Sequence, residues 1–350
     1  MGRWKGAALS WPMEQWPEGD RTAWASGCVP SDPFDDPRYG GTLRPASLAK
    51  TGHGYGRWLC FLESRGWLDP TLPAFQRVTR RRLRAYFHEL RRARNADYTI
   101  IGRFQELEMA LKILAPGQDT SWVRRPDGVS IYALLPKAKR HLMIPDSGVL
   151  FEWGLGMMDG VDPAVARDTW RTTYRDGLLV AMLAARGRRR KPMAGLRIGK
   201  DLVRSGDRYR IELTVEQVKT HKVDRFNLPE RLTPYVQHYL DVIRPGLLKG
   251  GSYDELWISR RGTPLTVAGL ESRIFRLSLK RFGQWFGPHR FRHAIANTLA
   301  LRDPGNPGMA AAVLGISAAV AEEHYKRRPG QIQATRTYAQ LVERRRRELG

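Results

Sequence analysis

Apolar residues along this chain recur mostly at helical spacing. Tyr55, Leu59 and Leu62 fall four and three positions apart, with Trp58 and Phe61 beside them, which predicts one buried helix face. Thr79 stands where a cap belongs, ahead of an apolar side made of Leu83, Phe87 and Leu90. Thr99 stands likewise ahead of Ile100, Phe104, Leu107, Leu111 and Leu114, and Pro116 stops that pattern. These short helices over 45–127 predict a small all-helical domain. Residues 1–44 carry Pro12, Pro17, Pro30, Pro33 and Pro37 without an apolar period, and read as an irregular segment. Trp4, Trp11, Trp16 and Trp24 within it argue against a purely flexible tail. The chain is mixed and Pro-punctuated after 117, and 128–144 reads as a linker.

A larger region spans 145–350. Asp146 or Ser147 can cap a helix with Val149, Trp153 and Met157 on one side, and a long helix is expected from about Pro163 to Ala185. Arg208 to Val215 alternates as a strand, and Phe226 to Leu228 can return beside it as a hairpin. Thr233-Pro234 reads as N-cap and first residue of a helix carrying Leu232, Val236, Leu240 and Ile243, and Thr266 opens another. The remainder is helical. The fold expected is mainly α: a small all-helical domain, then a mixed, mostly α domain with a small β-sheet or hairpin.

Composition narrows the partner. Lys and Arg number 59 against 35 Asp and Glu, a net charge of +24, while 42% of residues are hydrophobic. A packed core is affordable, and a charge of this size and sign points to a polyanion, nucleic acid before an anionic membrane. Cys28 and Cys60 cannot build a disulfide scaffold or a four-cysteine zinc site. The longest apolar run, Gly177 to Ala185, is too short to span a membrane, and the first residues show no apolar signal region. The expectation is a cytoplasmic, reducing setting with no membrane and no small-molecule substrate.

The positive charge is unevenly placed. Residues 77–94 hold eight Arg and one Glu. Arg80, Arg81, Arg84, Arg91 and Arg92 can avoid the Leu83/Phe87/Leu90 side, leaving a cationic face suited to duplex DNA. Residues 326–350 hold eight Lys or Arg and two Glu, either a solvated helix end or a second phosphate contact. Two glycine patterns are decoys. Gly195 to Lys200 is one residue short of a phosphate loop, and Asp201 stands where a Ser or Thr would hold magnesium. Gly52-His-Gly54-Tyr-Gly56 has no strand before it.

The C-terminal part carries a more specific pattern. His289-Arg290-Phe291-Arg292-His293 opens an amphipathic stretch, Leu314-Gly315 follows, and Tyr325 stands ten residues after that glycine. Upstream, Gly187-Arg188-Arg189 ends the long apolar helix, and Lys219-Thr220-His221-Lys222-Val223-Asp224-Arg225 lies between the two expected strands. This arrangement resembles the tyrosine recombinase (phage-type integrase) family from residue 45 to about 340. The resemblance implies a helical core-binding domain over 45–127 and a catalytic domain over 145–350. It implies Arg189, Lys219, His289, Arg292 and Tyr325 as catalytic residues, with the first arginine drawn from the consecutive Arg188, Arg189 and Arg190. Tyr338 is the rival nucleophile, too far from Leu314-Gly315 for the family's spacing.

The implied activity is site-specific recombination that cleaves and rejoins duplex DNA through a 3′-phosphotyrosine. It needs no metal or other cofactor and is performed by a homo-tetramer on two DNA sites. The residue types suit that chemistry. Two guanidiniums clamp the equatorial oxygens of a phosphodiester under attack, a phenolate is the nucleophile, and an ammonium protonates the leaving 5′-oxygen. The sequence departs from the family at Ile316, where His or Trp is usual, and at Pro192, where Glu is frequent. Those departures define the alternative, a catalytically weak DNA-binding accessory protein. A type IB topoisomerase shares the chemistry but does not share the helical N-terminal module.

Overall fold

The computed structural model describes residues 9–30, 38–126, 128–137, 144–164, 169–218, 223–303, 306 and 308–321. Two compact units divide the chain, Met1–Arg140 and His141–Gly350. The described residues are mainly helical, with one small sheet. Among the described residues no helix is long and apolar enough to cross a membrane.

The first unit contains α1 (Glu18–Gly27), α2 (Pro45–Ser64), α3 (Arg80–Arg92), α4 (Asp97–Leu114) and the short α5 (Ile131–Leu134). Helix α4 is its centre. Ile100, Phe104, Leu107 and Leu111 are fully buried, as their spacing predicts. Its Glu106 and Glu108 are also buried, and Arg103, Lys50, Lys112 and Arg124 pair with them. Helix α3 begins at the expected cap, Thr79, whose hydroxyl accepts from the Arg82 amide at 3.2 Å. The buried side of α3 is Leu83 and Tyr86, with Phe87 and Leu90 partly covered. The glycines of the decoy pattern in α2 permit close approach. A Cβ on Gly56 would fall 2.2 Å from the Trp11 carbonyl oxygen.

The first 44 residues are not simply irregular. They contain α1, which packs into this unit through Asp20, Trp24 and Gly27. Its inward positions follow helical spacing, but only one of the three is a large apolar residue, so no hydrophobic period marks it. Trp16 and Trp24 are each 4% exposed and meet edge to face at 5.3 Å. The Asp20 carboxylate accepts from the Tyr55 hydroxyl at 2.7 Å and pairs with the fully buried Arg77. Arg77 therefore belongs to the core and not to the cationic face of the 77–94 stretch.

The second unit starts with α6 (Ser147–Asp159), capped by Asp146 accepting from the Gly148 amide at 2.8 Å. Its buried side is Leu150, Gly154, Leu155 and Met158, not the expected Val149, Trp153 and Met157. Close crossing sets that choice, because a Cβ on Gly154 would fall 2.6 Å from the Ala181 amide nitrogen of the next helix. That helix, α7 (Trp170–Arg186), buries every residue from Leu178 to Ala184. The short α8 (Arg190–Ala194) follows.

Strands β1 (Leu202–Ser205), β2 (Arg208–Leu213) and β3 (Asp224–Asn227) form an antiparallel sheet in that order. Ile211 faces Leu202 on one side and Phe226 on the other. The expected hairpin is β2 and β3, while β1 is a strand of four residues too short to show a period. Then come α9 (Thr233–His238), a π-turn at Tyr239–Ile243, α10 (Arg244–Leu248), α11 (Val267–Phe282), α12 (Pro288–Arg302), α13 (Met309–Leu314) and α14 (Ala318–Ala321). Thr266 caps α11 as expected, accepting from the Gly269 amide.

Candidate active site

Three segments far apart in sequence meet in the second unit: the end of α7, the start of α12 and the turn after α13. Arg292 joins them. It is 2% exposed; its Nη1 donates to the Gly187 carbonyl at 2.6 Å and its Nη2 to the Leu314 carbonyl at 3.1 Å. Both acceptors lie at helix C-termini, where carbonyls are left without amide partners and the helix dipole favours a cation. Gly187 and Gly315 close those helices in the left-handed conformation, at φ 37° and 59°.

Helix α12 places His289, Arg292 and His293 on one side, at i, i+3 and i+4. His289 is exposed in the first turn, and its ring stands perpendicular to that of His293 at 5.0 Å. The far end of α12 is tied to α6: the Thr298 hydroxyl accepts from the Ser147 amide and donates to Asp146.

The arginine run separates into three environments. Arg188 is buried and its Nη2 donates to Asp224 of β3 at 2.6 Å, with the guanidinium 4.5 Å from the centre of the Phe226 ring. A Cβ on Gly315 would fall 2.8 Å from Arg188 Nη1, so glycine there leaves room for the guanidinium. Arg190 is exposed and pairs with Glu271. Arg189 is half-buried, in extended conformation at the cap of α8.

Burial pushes the Arg188 guanidinium down to about 10, against the pull of Asp224 and with the repulsion of Arg186, Arg292 and Arg189. It still carries its proton at neutral pH. Four arginines thus act on one small volume, a concentration of charge suited to an anion. The sequence offered Arg188 only as an alternative to Arg189 and gave Asp224, quoted with the Lys219–Arg225 motif, no role of its own. The signal for them was local: an arginine directly after the helix-ending glycine, and a carboxylate close to the Lys219–Lys222 motif.

Lys219 and Tyr325 lie outside the described residues. The residues flanking Lys219 are anchored. Gln217 donates to the buried Asp201 at 2.9 Å and accepts from the Thr214 amide at 2.8 Å, while Asp224 on the other side holds Arg188. Asp201, in the phosphate-loop decoy, therefore serves as a structural anchor. Ahead of Tyr325, Ala321 of α14 is 1% exposed. Ile316 packs with Leu299 and Val313 on the small apolar cluster of Ile295, Ala296, Ala310 and Leu314.

In the first unit, Arg80, Arg81, Arg84, Arg91 and Arg92 are all exposed on α3. Arg91 pairs with Asp97 at 3.4 Å and Arg92 with Glu89 at 3.1 Å. Arg81 lies 6.0 Å from the Trp67 ring.

No protein-family sequence profile matches the chain, and no curated protein matches it in sequence. Solved structures do match in fold. The XerH site-specific recombinase bound to a palindromic difH substrate, in a post-cleavage complex, aligns at TM-score 0.54 and 14% identity, over 92% of this chain and 98% of that one. The Tn1549 transposon integrase in complex with transposon right end DNA aligns at TM-score 0.55 and 16% identity, over 92% and 98%. The chain has the tyrosine recombinase fold.

Proposed function

We propose that this protein is a site-specific DNA recombinase that cleaves and rejoins duplex DNA through a 3′-phosphotyrosine. The observation that carries the reading is Arg292, buried and held by Gly187 and Leu314, where the ends of α7 and α13 meet the start of α12. Those are the three places where the family's motifs fall. The similar folds that hold DNA substrates give the reading its second support.

In this reading the Tyr325 oxygen attacks the scissile phosphorus, and the bond to the 5′-oxygen breaks. Lys219 gives that oxygen its proton. Arg189 and Arg292 hold the non-bridging oxygens, and His289 hydrogen-bonds the phosphate. Attack by another strand's 5′-hydroxyl reverses the steps and releases the tyrosine, so bond energy is conserved without a cofactor or metal. Arg80, Arg81, Arg84, Arg91 and Arg92 contact phosphates along the duplex, and four copies act on two sites. The segment 45–127 serves as the core-binding domain and 145–350 as the catalytic one.

The test is a suicide substrate with a nick beside the cleavage point. Wild type yields a protein–DNA adduct that survives denaturant and chelators. Tyr325→Phe yields none but binds DNA as before, and Tyr338→Phe behaves as wild type. An adduct that persists in Tyr325→Phe and vanishes in Tyr338→Phe overturns the assignment. Ile316 favours a second reading, an accessory DNA-binding protein, because an apolar side chain there donates nothing to a phosphate. Cleavage of a cognate site by wild type no faster than by Arg292→Ala supports that second reading.

A further inference from the structure

The sequence from Ser272 to Arg302 contains no carboxylate, yet it holds six arginines and one lysine. Three of those cations have structural duties: Arg273 is held by Asp176, Arg292 by backbone carbonyls and Arg302 by Asp146. The other four, Arg276, Lys280, Arg281 and Arg290, pair with no carboxylate among the described residues. Amid them stands Trp285, 60% exposed, the most exposed aromatic residue of those described. Its indole rests on Phe275, with ring centres 6.0 Å apart. Leu279, one helical turn beyond Phe275 on α11, is 44% exposed. The Phe275 ring also lies against Gly287, where a Cβ would come within 3.0 Å of it. Gly287 caps α12, and His289 is that helix's second residue. One aromatic contact therefore separates Trp285 from the start of the helix bearing His289 and Arg292.

An indole held in water contributes little to folding, and the four cations close to it in sequence pair with no carboxylate among the described residues. Both features become favourable against a polyanion that also presents flat apolar faces, which is the chemistry of nucleic acid. We infer that Trp285 is a DNA contact, packing on the deoxyribose faces of the strand beside the scissile phosphate while the flanking cations hold neighbouring phosphates. This inference rests on the DNA-processing reading above. The contact is sequence-tolerant, since every nucleotide carries the same deoxyribose.

The experiment uses the full chain and a mixed-sequence duplex of about 30 base pairs, near three helical turns. At fixed salt, Trp285→Ala lowers duplex affinity by about fivefold, the low end for an aromatic contact to nucleic acid, because paired bases keep their faces stacked. The slope of log K against log salt stays that of wild type, because no phosphate contact is lost. Arg290→Gln does the opposite, reducing the slope by about 0.9. Trp285→Phe keeps most of the affinity, and DNA-induced quenching of indole fluorescence is smaller in it than in wild type. Trp285→Ala that binds as wild type, or quenching unchanged in Trp285→Phe, overturns the inference. So does loss of self-association in Trp285→Ala with DNA affinity intact, which would make the ring a protein contact. Failure of wild type itself to bind duplex overturns the DNA-processing reading instead.

Discussion

Removing the Asp224 carboxylate tests whether β3 is held to the site by charge. In wild type its partner Arg188 has a side chain 6% exposed, and Asp224's is 18% exposed. Asp224→Ala leaves the guanidinium buried without its counter-ion, while Arg186, Arg189 and Arg292 still repel it. Stripping one partner from a buried pair costs about 3–5 kcal/mol, and the partial exposure of Asp224 places this case at the lower end, about 3 kcal/mol. For a unit of this size, each kcal/mol shifts the melting midpoint by about 2–4 °C, so a fall of about 6–12 °C is expected. Asp224→Asn keeps an oxygen acceptor and loses about half as much. The double variant Arg188→Met/Asp224→Ala recovers most of the loss, since an apolar side chain replaces the stranded charge. Urea unfolding of wild type, Asp224→Ala, Arg188→Met and the double variant, followed by circular dichroism, gives the coupling energy of the pair. A loss below about 1 kcal/mol in Asp224→Ala, the range of exposed pairs, refutes the argument that this contact anchors β3.

Arg292→Lys keeps the charge but cannot reach both the Gly187 and Leu314 carbonyls; adduct formation falls at least about 10²-fold while duplex binding, measured by titration, stays near wild type. The double variant Arg80→Ala/Arg84→Ala on α3 lowers the salt slope of duplex binding by about 1.8, at about 0.9 per phosphate contact. Burial raises the phenols of Tyr55, Tyr86, Tyr174 and Tyr239, and Asp20 adds to the effect at Tyr55. An acid whose folded pKa is raised stays protonated while the unfolded chain ionises, so stability is complete below about pH 10 and falls as pH rises above it. In a phenolate absorbance titration at least these four of the twelve tyrosines resist ionisation until the chain unfolds; full ionisation of the native protein near pH 10 contradicts that packing.

Much of the fold was legible because long helices repeat their apolar spacing. Helix α4 shows this best, with Ile100, Phe104, Leu107 and Leu111 buried where the period placed them. The caps at Thr79, Asp146 and Thr266 were legible because each needs only one side chain. Helix α1 was not, since Asp20 and Gly27 fill inward positions that a period reader expects to be apolar. The buried face of α6 was misjudged because the closest helix crossing selects small residues, and hydrophobic patterning gives Gly154 no weight. At the site, the motifs pointed to His289 and Arg292, but three adjacent arginines look alike in sequence. Only their surroundings separate Arg188, turned toward Asp224, from Arg190, turned toward Glu271.

The tie between Asp20 and Arg77 also bears on the order in which the protein is made. The partners are 57 residues apart in sequence. Helix α1 leaves the ribosome before α2 and α3, yet its inward-facing carboxylate finds Tyr55 only once α2 is made and Arg77 only once the chain reaches the segment before α3. Until then Asp20 is better left in water, and before α2 is made the Trp16 indole lacks the Tyr55 ring that meets it edge to face. The first unit therefore cannot close around its N-terminal helix piecemeal during translation. Closure waits for the chain to extend past Arg77, and a nascent chain stalled before α2 would present that indole to chaperones.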